Sequence, residues 1–143
     1  MAYWLLKTEP EEYSYSHLEK DGEGVWDGVN NALALKHLRT MKIGELAFIY
    51  HTGKERQVVG IAEVVSLPYP DPKLDDAKRV VVRLKAVQKV KHPVTLSEIK
   101  LDSHFENFDL LRLPRLSVVP VSEFYWQRLL QLTKSDRLIQ SFS

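Results

Sequence analysis

The chain has 143 residues, 44% of them hydrophobic and 27% charged, a length and balance that fit one ordinary globular domain with a sizeable core. It contains no cysteine, which excludes a disulfide framework, a thiolate zinc site and a cysteine nucleophile. Its formal net charge of +1 is too small for bulk attraction to phosphate, although the first 77 residues carry 8 Lys and Arg against 13 Asp and Glu and the remainder 12 against 6. If the halves segregate, the second offers a basic face; if they interleave, the asymmetry disappears.

In chain order, Ala2 to Lys7 reads as a short buried strand stopped by Glu9-Pro10. Ser16-His17-Leu18-Glu19 has the form of a capping box and predicts a short helix ending near Asp21-Gly22. Val25-Trp26 is extended. Ala32, Leu35 and Leu38 recur at helical spacing between Asn31 and Met41, with Asn30 or Asn31 as N-cap. Leu46 to His51 reads as a buried strand, Thr52 to Glu55 as a turn, and Val58 to Val65 as the hairpin partner. Pro68 to Pro72 is a stiff loop with Asp71 as a turn residue, and Arg79 to Val90 alternates as a long strand.

Thr95-Leu96-Ser97-Glu98 starts another short helix, Ser103 to Asn107 is a loop, and Arg115 to Val121 is a strand stopped at Pro120. Ser122 caps a helix carrying Trp126, Leu129, Leu130 and Leu132, and residues 135–143 are expected to be loosely held. Trp4 and Trp126 belong to the core. Five or six strands with short connecting helices predict an α+β, mainly β fold: a small barrel or strongly curved sheet. No apolar run approaches the ~18 residues of a membrane span, and the N-terminus lacks the pattern of a signal peptide, so the expected location is cytoplasmic.

Six segments, in order, resemble one family. They are Trp4-Leu5-Leu6-Lys7-Thr8-Glu9-Pro10, Trp26-Asp27-Gly28-Val29-Asn30-Asn31-Ala32, Gly44-Glu45 leading to Tyr50-His51, Gly60 to Val65, Pro70-Asp71, and Leu116 to Val121 with Trp126. Together they resemble the EVE domain of the PUA-like superfamily, over nearly the whole chain. The resemblance implies a PUA-like curved β-barrel with helices around it. It also implies kinship with YTH domains, which read a methylated base in RNA, and a ligand that is a modified base in nucleic acid. Asn30 stands where the family usually has Arg, and an amide cannot carry the charge of a guanidinium. Thr8 stands where Ser is common, keeping the hydroxyl and adding a methyl group.

The residues themselves point to a pocket for a planar ligand. Trp26 is the candidate stacking plane, or else a core residue behind the next helix. Lys7, Thr8 and Glu9 end the first strand and could meet a phosphate or the edge of a base. Asp27, Asn30 and Asn31 could bond a base edge or cap the helix. Tyr50 and His51 end another strand, with His51 as donor, acceptor or stacking plane, or as a satisfied structural histidine. Arg79, Arg83, Lys85 and Lys89 could make a phosphate-facing strip or a solvated sheet face.

The expected function is a non-catalytic reader of a methylated or hydroxymethylated base in DNA or RNA. No cofactor, no metal and no membrane are expected, and no segment resembles a dimerisation helix. One alternative is a sensor of a small molecule or nucleoside. The other is a nucleoside-processing enzyme similar to some ASCH domains, with Glu9, Asp27 and His51 as acid and base. The chain lacks a phosphate-cradling glycine loop, HExxH and metal-ligand spacing, which weighs against the enzyme.

Overall fold

The computed structural model describes residues 1–135. The elements run β1 (Tyr3–Thr8), α1 (Tyr15–Asp21), β2 (Glu23–Trp26), α2 (Ala32–Arg39), β3 (Leu46–His51), β4 (Gln57–Val64), β5 (Tyr69–Pro70), β6 (Val80–Thr95), α3 (Leu96–Leu101), α4 (Asp109–Arg112), β7 (Val118–Val121) and α5 (Glu123–Leu132), with a 3-10 turn at Ser103–Phe105. Six strands form one sheet in the order β2-β6-β4-β3-β1-β7, and the two-residue β5 pairs with β6. The β1–β3 pair is parallel and the others are antiparallel.

The sheet curls. Four strand steps separate β6 from β7, about 19 Å if flat. Yet α2, eight residues and so about 12 Å long, packs against both. A bend of the sheet toward α2 accounts for one short helix meeting both strands. This is the expected PUA-like α+β architecture, with a seventh strand beyond the five or six counted from sequence.

Several boundaries differ for physical reasons. The N-cap of α1 is Ser14, not Ser16: its hydroxyl accepts from His17 N, and its own N–H donates to His17 Nδ1 at 3.0 Å. Histidine fills the position where a capping box usually has Glu or Gln. The Pro68–Pro72 loop contains a strand, because Tyr69 and Pro70 pair with Val81 and Val80. Pro93 does not stop β6, which continues to Thr95 through register shifts against β4. Pro120 lies inside β7, opposite Trp4. The end strand of the sheet tolerates a residue without an N–H. The single turn α4 lies beyond the expected loop at Ser103 to Asn107. Of the expected loose tail, only Ser135 is described; it is buried, its hydroxyl bonded to Thr133. Residues 136–143 lie outside the described residues.

The capping boxes show how side chains set the remaining elements. Thr95 accepts from Glu98 N while Glu98 accepts from Thr95 N, starting α3 where the sequence placed it. Asn31 accepts from Ala34 N and starts α2, and Ser122 accepts from Tyr125 N and starts α5. Trp126 is fully buried, stacked on Tyr3 at 4.5 Å and tilted against Phe48. Trp4 is buried too, and its indole N–H donates to Glu45 Oε1 at 3.0 Å. The same buried carboxylate accepts from Lys42 N and Ala2 N, which ties the start of β1 to the turn before β3.

The two halves of the chain interleave. Strand β6 lies between β2 and β4, which brings Arg83 to Glu23 at 3.3 Å and sets Lys85 in register with Glu23 and Glu63. The charge asymmetry of the sequence is therefore partly cancelled across the sheet.

Tyr15 is buried, with its hydroxyl donating to the Ile61 carbonyl at 2.6 Å. Burial, then the charge of Glu19, pushes its pKa up from 10.0 to about 12. A raised folded-state pKa means that the fold holds this proton more tightly than the unfolded chain does. Its contribution is complete below pH 10 and is lost as pH rises toward 12. Denaturant melts across that window should show falling stability, and Tyr15→Phe should flatten the fall.

Candidate nucleic-acid interface

A cleft of about 670 Å³ opens where β1 ends and the chain passes from β2 to α2. That size lies in the usual range for ligand pockets. Lys7, Thr8 and Glu9 form one wall; Trp26, Asp27, Asn30 and Asn31 form the other. Seven of the nine ligand-binding candidates thus come together from two segments far apart in sequence.

Each wall is held by its own bonds. Thr8 Oγ1 donates to the Tyr13 carbonyl at 2.7 Å, and the N–H groups of Glu12 and Tyr13 donate to the Glu9 carbonyl. These bonds fold residues 9–13 into a turn that places Glu12 and Tyr13 on the cleft. The Thr8 hydroxyl proton is therefore already committed. Glu9 Oε2 accepts from Thr52 Oγ1 at 3.2 Å, and its carboxylate lies over Gly53, where any Cβ would sit 2.9 Å from Oε1. On the other wall, Arg79 Nε donates to the Val29 carbonyl at 3.0 Å and clamps the β2–α2 connection. Asp27 faces Lys73 at 3.7 Å.

Trp26 lines the cleft but is only 6% exposed, so it is at once a core residue and part of the wall. Tyr13 meets it edge-on, with centroids 6.3 Å apart and planes at 75°. The two rings make a corner. The Tyr13 hydroxyl donates to Asp21 Oδ2 at 3.0 Å. Burial, this bond and the charges of Asp21 and Asp27 push its pKa up to about 12, so it is a neutral phenol at any physiological pH. Lys7 Nζ donates to the Pro114 carbonyl at 2.9 Å, and burial lowers its pKa.

Tyr50 and His51 do not join this cleft. Tyr50, beside a register shift between β3 and β4, lines a second cleft of about 390 Å³ across the end of β1, with Lys7 5.9 Å from the centre of its ring. His51 lines neither cleft. It is buried, Nε2 accepts from Tyr15 N at 3.0 Å, and Nδ1 is 2.9 Å from Glu55 Oε1. Nε2 holds α1 to the end of β3, and Nδ1 holds the β3–β4 turn. The basic strip lies elsewhere as well: Arg79 clamps a loop, Arg83 pairs with Glu23, and neither they nor Lys85 and Lys89 line the cleft.

The sequence reading missed Tyr13, Asp21, Lys73, Arg115 and Ser117, all on the cleft. Tyr13 could have been suspected as an aromatic in an acidic run just before a helix cap. Arg115 and Ser117 could not, because they arrive through the pairing of β7 with β1, which no local pattern reveals. The cleft presents the carboxylates of Glu9, Glu12, Asp21 and Asp27 against the cations Lys7, Lys73 and Arg115. It therefore suits a polar, nearly neutral heterocycle better than a bare phosphate. Among the described residues no three His, Asp or Glu side chains gather as ligands for a metal ion, and no helix is long and apolar enough to cross a membrane.

Comparison with known proteins finds relatives of the whole fold. Thymocyte nuclear protein 1 of Homo sapiens is 29% identical over 94% of this chain and 75% of its own length; that of Gallus gallus is 32% identical over 85% and 64%. Among solved structures, a protein of Rhodopseudomonas palustris superposes with a TM-score of 0.89 at 36% identity, covering 94% of each chain. The human THYN1 protein in complex with DNA containing 5-methylcytosine superposes with a TM-score of 0.85 at 29% identity, over 93% of this chain and 98% of that one. An ASCH protein of Zymomonas mobilis shares the fold alone, with a TM-score of 0.55 at 13% identity. The EVE domain family model matches residues 2–132, the span that holds every strand and both walls of the cleft, and the chain belongs to that family.

Proposed function

We propose that the protein is a non-catalytic reader that holds a modified base of nucleic acid, with a 5-methylcytosine-like base in DNA as the first candidate, in the cleft between β1 and α2. The observation that carries this reading is the Tyr13–Trp26 corner set among carboxylates and cations. Support comes from the relative whose complex contains 5-methylcytosine DNA. A cytosine offers an exocyclic amine, which a carboxylate such as Asp27 or Glu12 can accept. Its O2 and N3 accept from donors such as the Asn30 amide. Val25 and the Trp26 edge give a methyl group an apolar surface. Arg115 and Lys73 stand on the same cleft and supply positive charge that Asn30 lacks.

Against catalysis, the three residues considered as acid and base are not assembled: Glu9 and Asp27 line the cleft, while His51 does not and is bonded to Tyr15 N and Glu55.

The test is binding to matched DNA and RNA oligonucleotides, single- and double-stranded, bare or carrying one methylated or hydroxymethylated base, at two salt concentrations. One modified member should bind about 10-fold tighter than its bare counterpart, the scale of a buried methyl group. Asp27→Ala, an exposed change, should weaken that member with little effect on melting. No binding to any member at low salt would remove the reading. Salt-independent binding of a free nucleoside alone would make the protein a small-molecule sensor.

A further inference from the structure

We propose that the nucleic-acid strand carrying the base leaves the cleft along a track of cations that crosses the end of β1, passes the β3–β4 turn and reaches α3. This rests on the reading of the first cleft as a base site and adds the path of the backbone. The second cleft shares Lys7, Thr8, Glu9, Arg115 and Ser117 with the first. A third, of about 430 Å³, shares Gly53, Arg56 and Leu96 with the second. The three hollows are thus neighbours, and an arginine lines both members of each adjoining pair.

Charge changes along this path. The first cleft holds more carboxylates than cations. Past the shared residues Lys7, Arg115 and Glu9, the outer clefts add the cations Arg56, Lys54 and Lys100 and one carboxylate, Glu55. Both carboxylates are engaged, Glu9 by Thr52 and Glu55 by His51 and Gln57. Among the described residues Arg115, Arg56, Lys54 and Lys100 form no ion pair. A nucleotide divides in the same way, with a polar and uncharged base attached to a charged backbone. Leu96, Leu110 and Pro114 between the cations give sugars an apolar floor.

The backbone at Arg56 is a second, independent sign. Its φ is 45°, in the left-handed region, which costs a residue with a Cβ roughly 1–2 kcal/mol. Glycine would remove that cost. The strained residue is the one that lines both outer clefts, with Nε donating to the Gly53 carbonyl at 3.1 Å. Phosphate contacts fix a strand without reading its sequence, so the track adds affinity and leaves base choice to the first cleft.

The experiment measures affinity against salt concentration for the modified oligonucleotide, with flanks extended on one side or the other of the modified base. The proteins are wild type, Arg56→Gly, Arg56→Gln and the pair Lys54→Gln with Lys100→Gln. Wild type should gain affinity from one flank only. Each variant should lose severalfold in affinity, with the salt slope falling by about one unit per cation removed. The preference for the modified base should be unchanged. Arg56→Gly should melt no lower than wild type, which separates lost binding from lost fold, and Arg56→Gln keeps the backbone strain as a control. If wild type prefers the modified base but the variants keep its affinity and slope, the track is wrong and the base site stands. If wild type binds no oligonucleotide, the base site falls and the track with it.

Discussion

Gly60→Ala is expected to lower stability by about 3–5 kcal/mol, the largest loss from an added methyl group at any of the six glycines. Gly60 lies in the middle of β4, and a Cβ built there would sit 2.3 to 2.4 Å from three carbons of the Tyr15 ring. Real Cβ contacts do not come so close, so either the strand or the ring must move. The strand is held on both sides, by Ile49 of β3 and Lys89 of β6. The ring is held by its hydroxyl on the Ile61 carbonyl and by Tyr15 N on His51. Expelling it forfeits its burial, which for a large aromatic is worth about 3–5 kcal/mol. With total stabilities of about 5–15 kcal/mol, such a loss leaves a barely folded protein. Chemical denaturation of Gly60→Ala beside wild type measures it. The double variant Gly60→Ala with Tyr15→Ala should recover part of the loss if the clash is the cause. A full-stability single variant would show that Tyr15 can leave its place without cost.

Trp26→Ala should do two things at once. Trp26 is nearly enclosed, so truncation should cost about 3–5 kcal/mol of stability. It also removes one side of the ring corner, and stacking against an aromatic is worth about 1–3 kcal/mol per base. Lost binding in this variant alone would therefore prove little. Trp26→Phe keeps an aromatic ring in the core and shortens the part that reaches the cleft. Its affinity for the modified oligonucleotide should fall severalfold while most of the stability remains, with both read well below its melting temperature. Equal affinity in Trp26→Phe and in Tyr13→Leu would mean that the corner does not touch the base.

Where a single residue type and its near neighbours decide the outcome, the sequence was readable. Thr95 with Glu98 and the apolar Leu46 to His51 announce an element each, and the structure has both at those places. Asn31 was open between cap and ligand, and it caps. The misreadings come from context. Pro120 looked like a stop because its place on an end strand is a property of the whole sheet. Arg79, Arg83, Lys85 and Lys89 were open between a phosphate-facing strip and a solvated sheet face, because what Arg79 and Arg83 meet, Val29 and Glu23, lies far off in sequence. The site divides along the same line. The wall from Trp26 to Asn31 is contiguous and could be seen as a motif. The corner, the Arg115 contribution and the removal of His51 needed the pairing of distant segments.

The place of β1 has a consequence for how the domain comes into being. This strand is the first in the chain, yet its neighbours are β3 and β7, and β7 precedes only α5 among the described elements. Lys7 alone bridges 107 residues to reach the Pro114 carbonyl. Such non-local pairings form slowly, because the loop entropy is lost before the contact rewards it. During synthesis the first strand must wait beside β3, with its other edge unpaired, until the last strand emerges. The first and second clefts, both lined by Lys7, Arg115 and Ser117, lie at the seam that this final pairing closes. Binding competence should therefore appear all at once and late, and shortened chains that lack β7 should be insoluble rather than partly active.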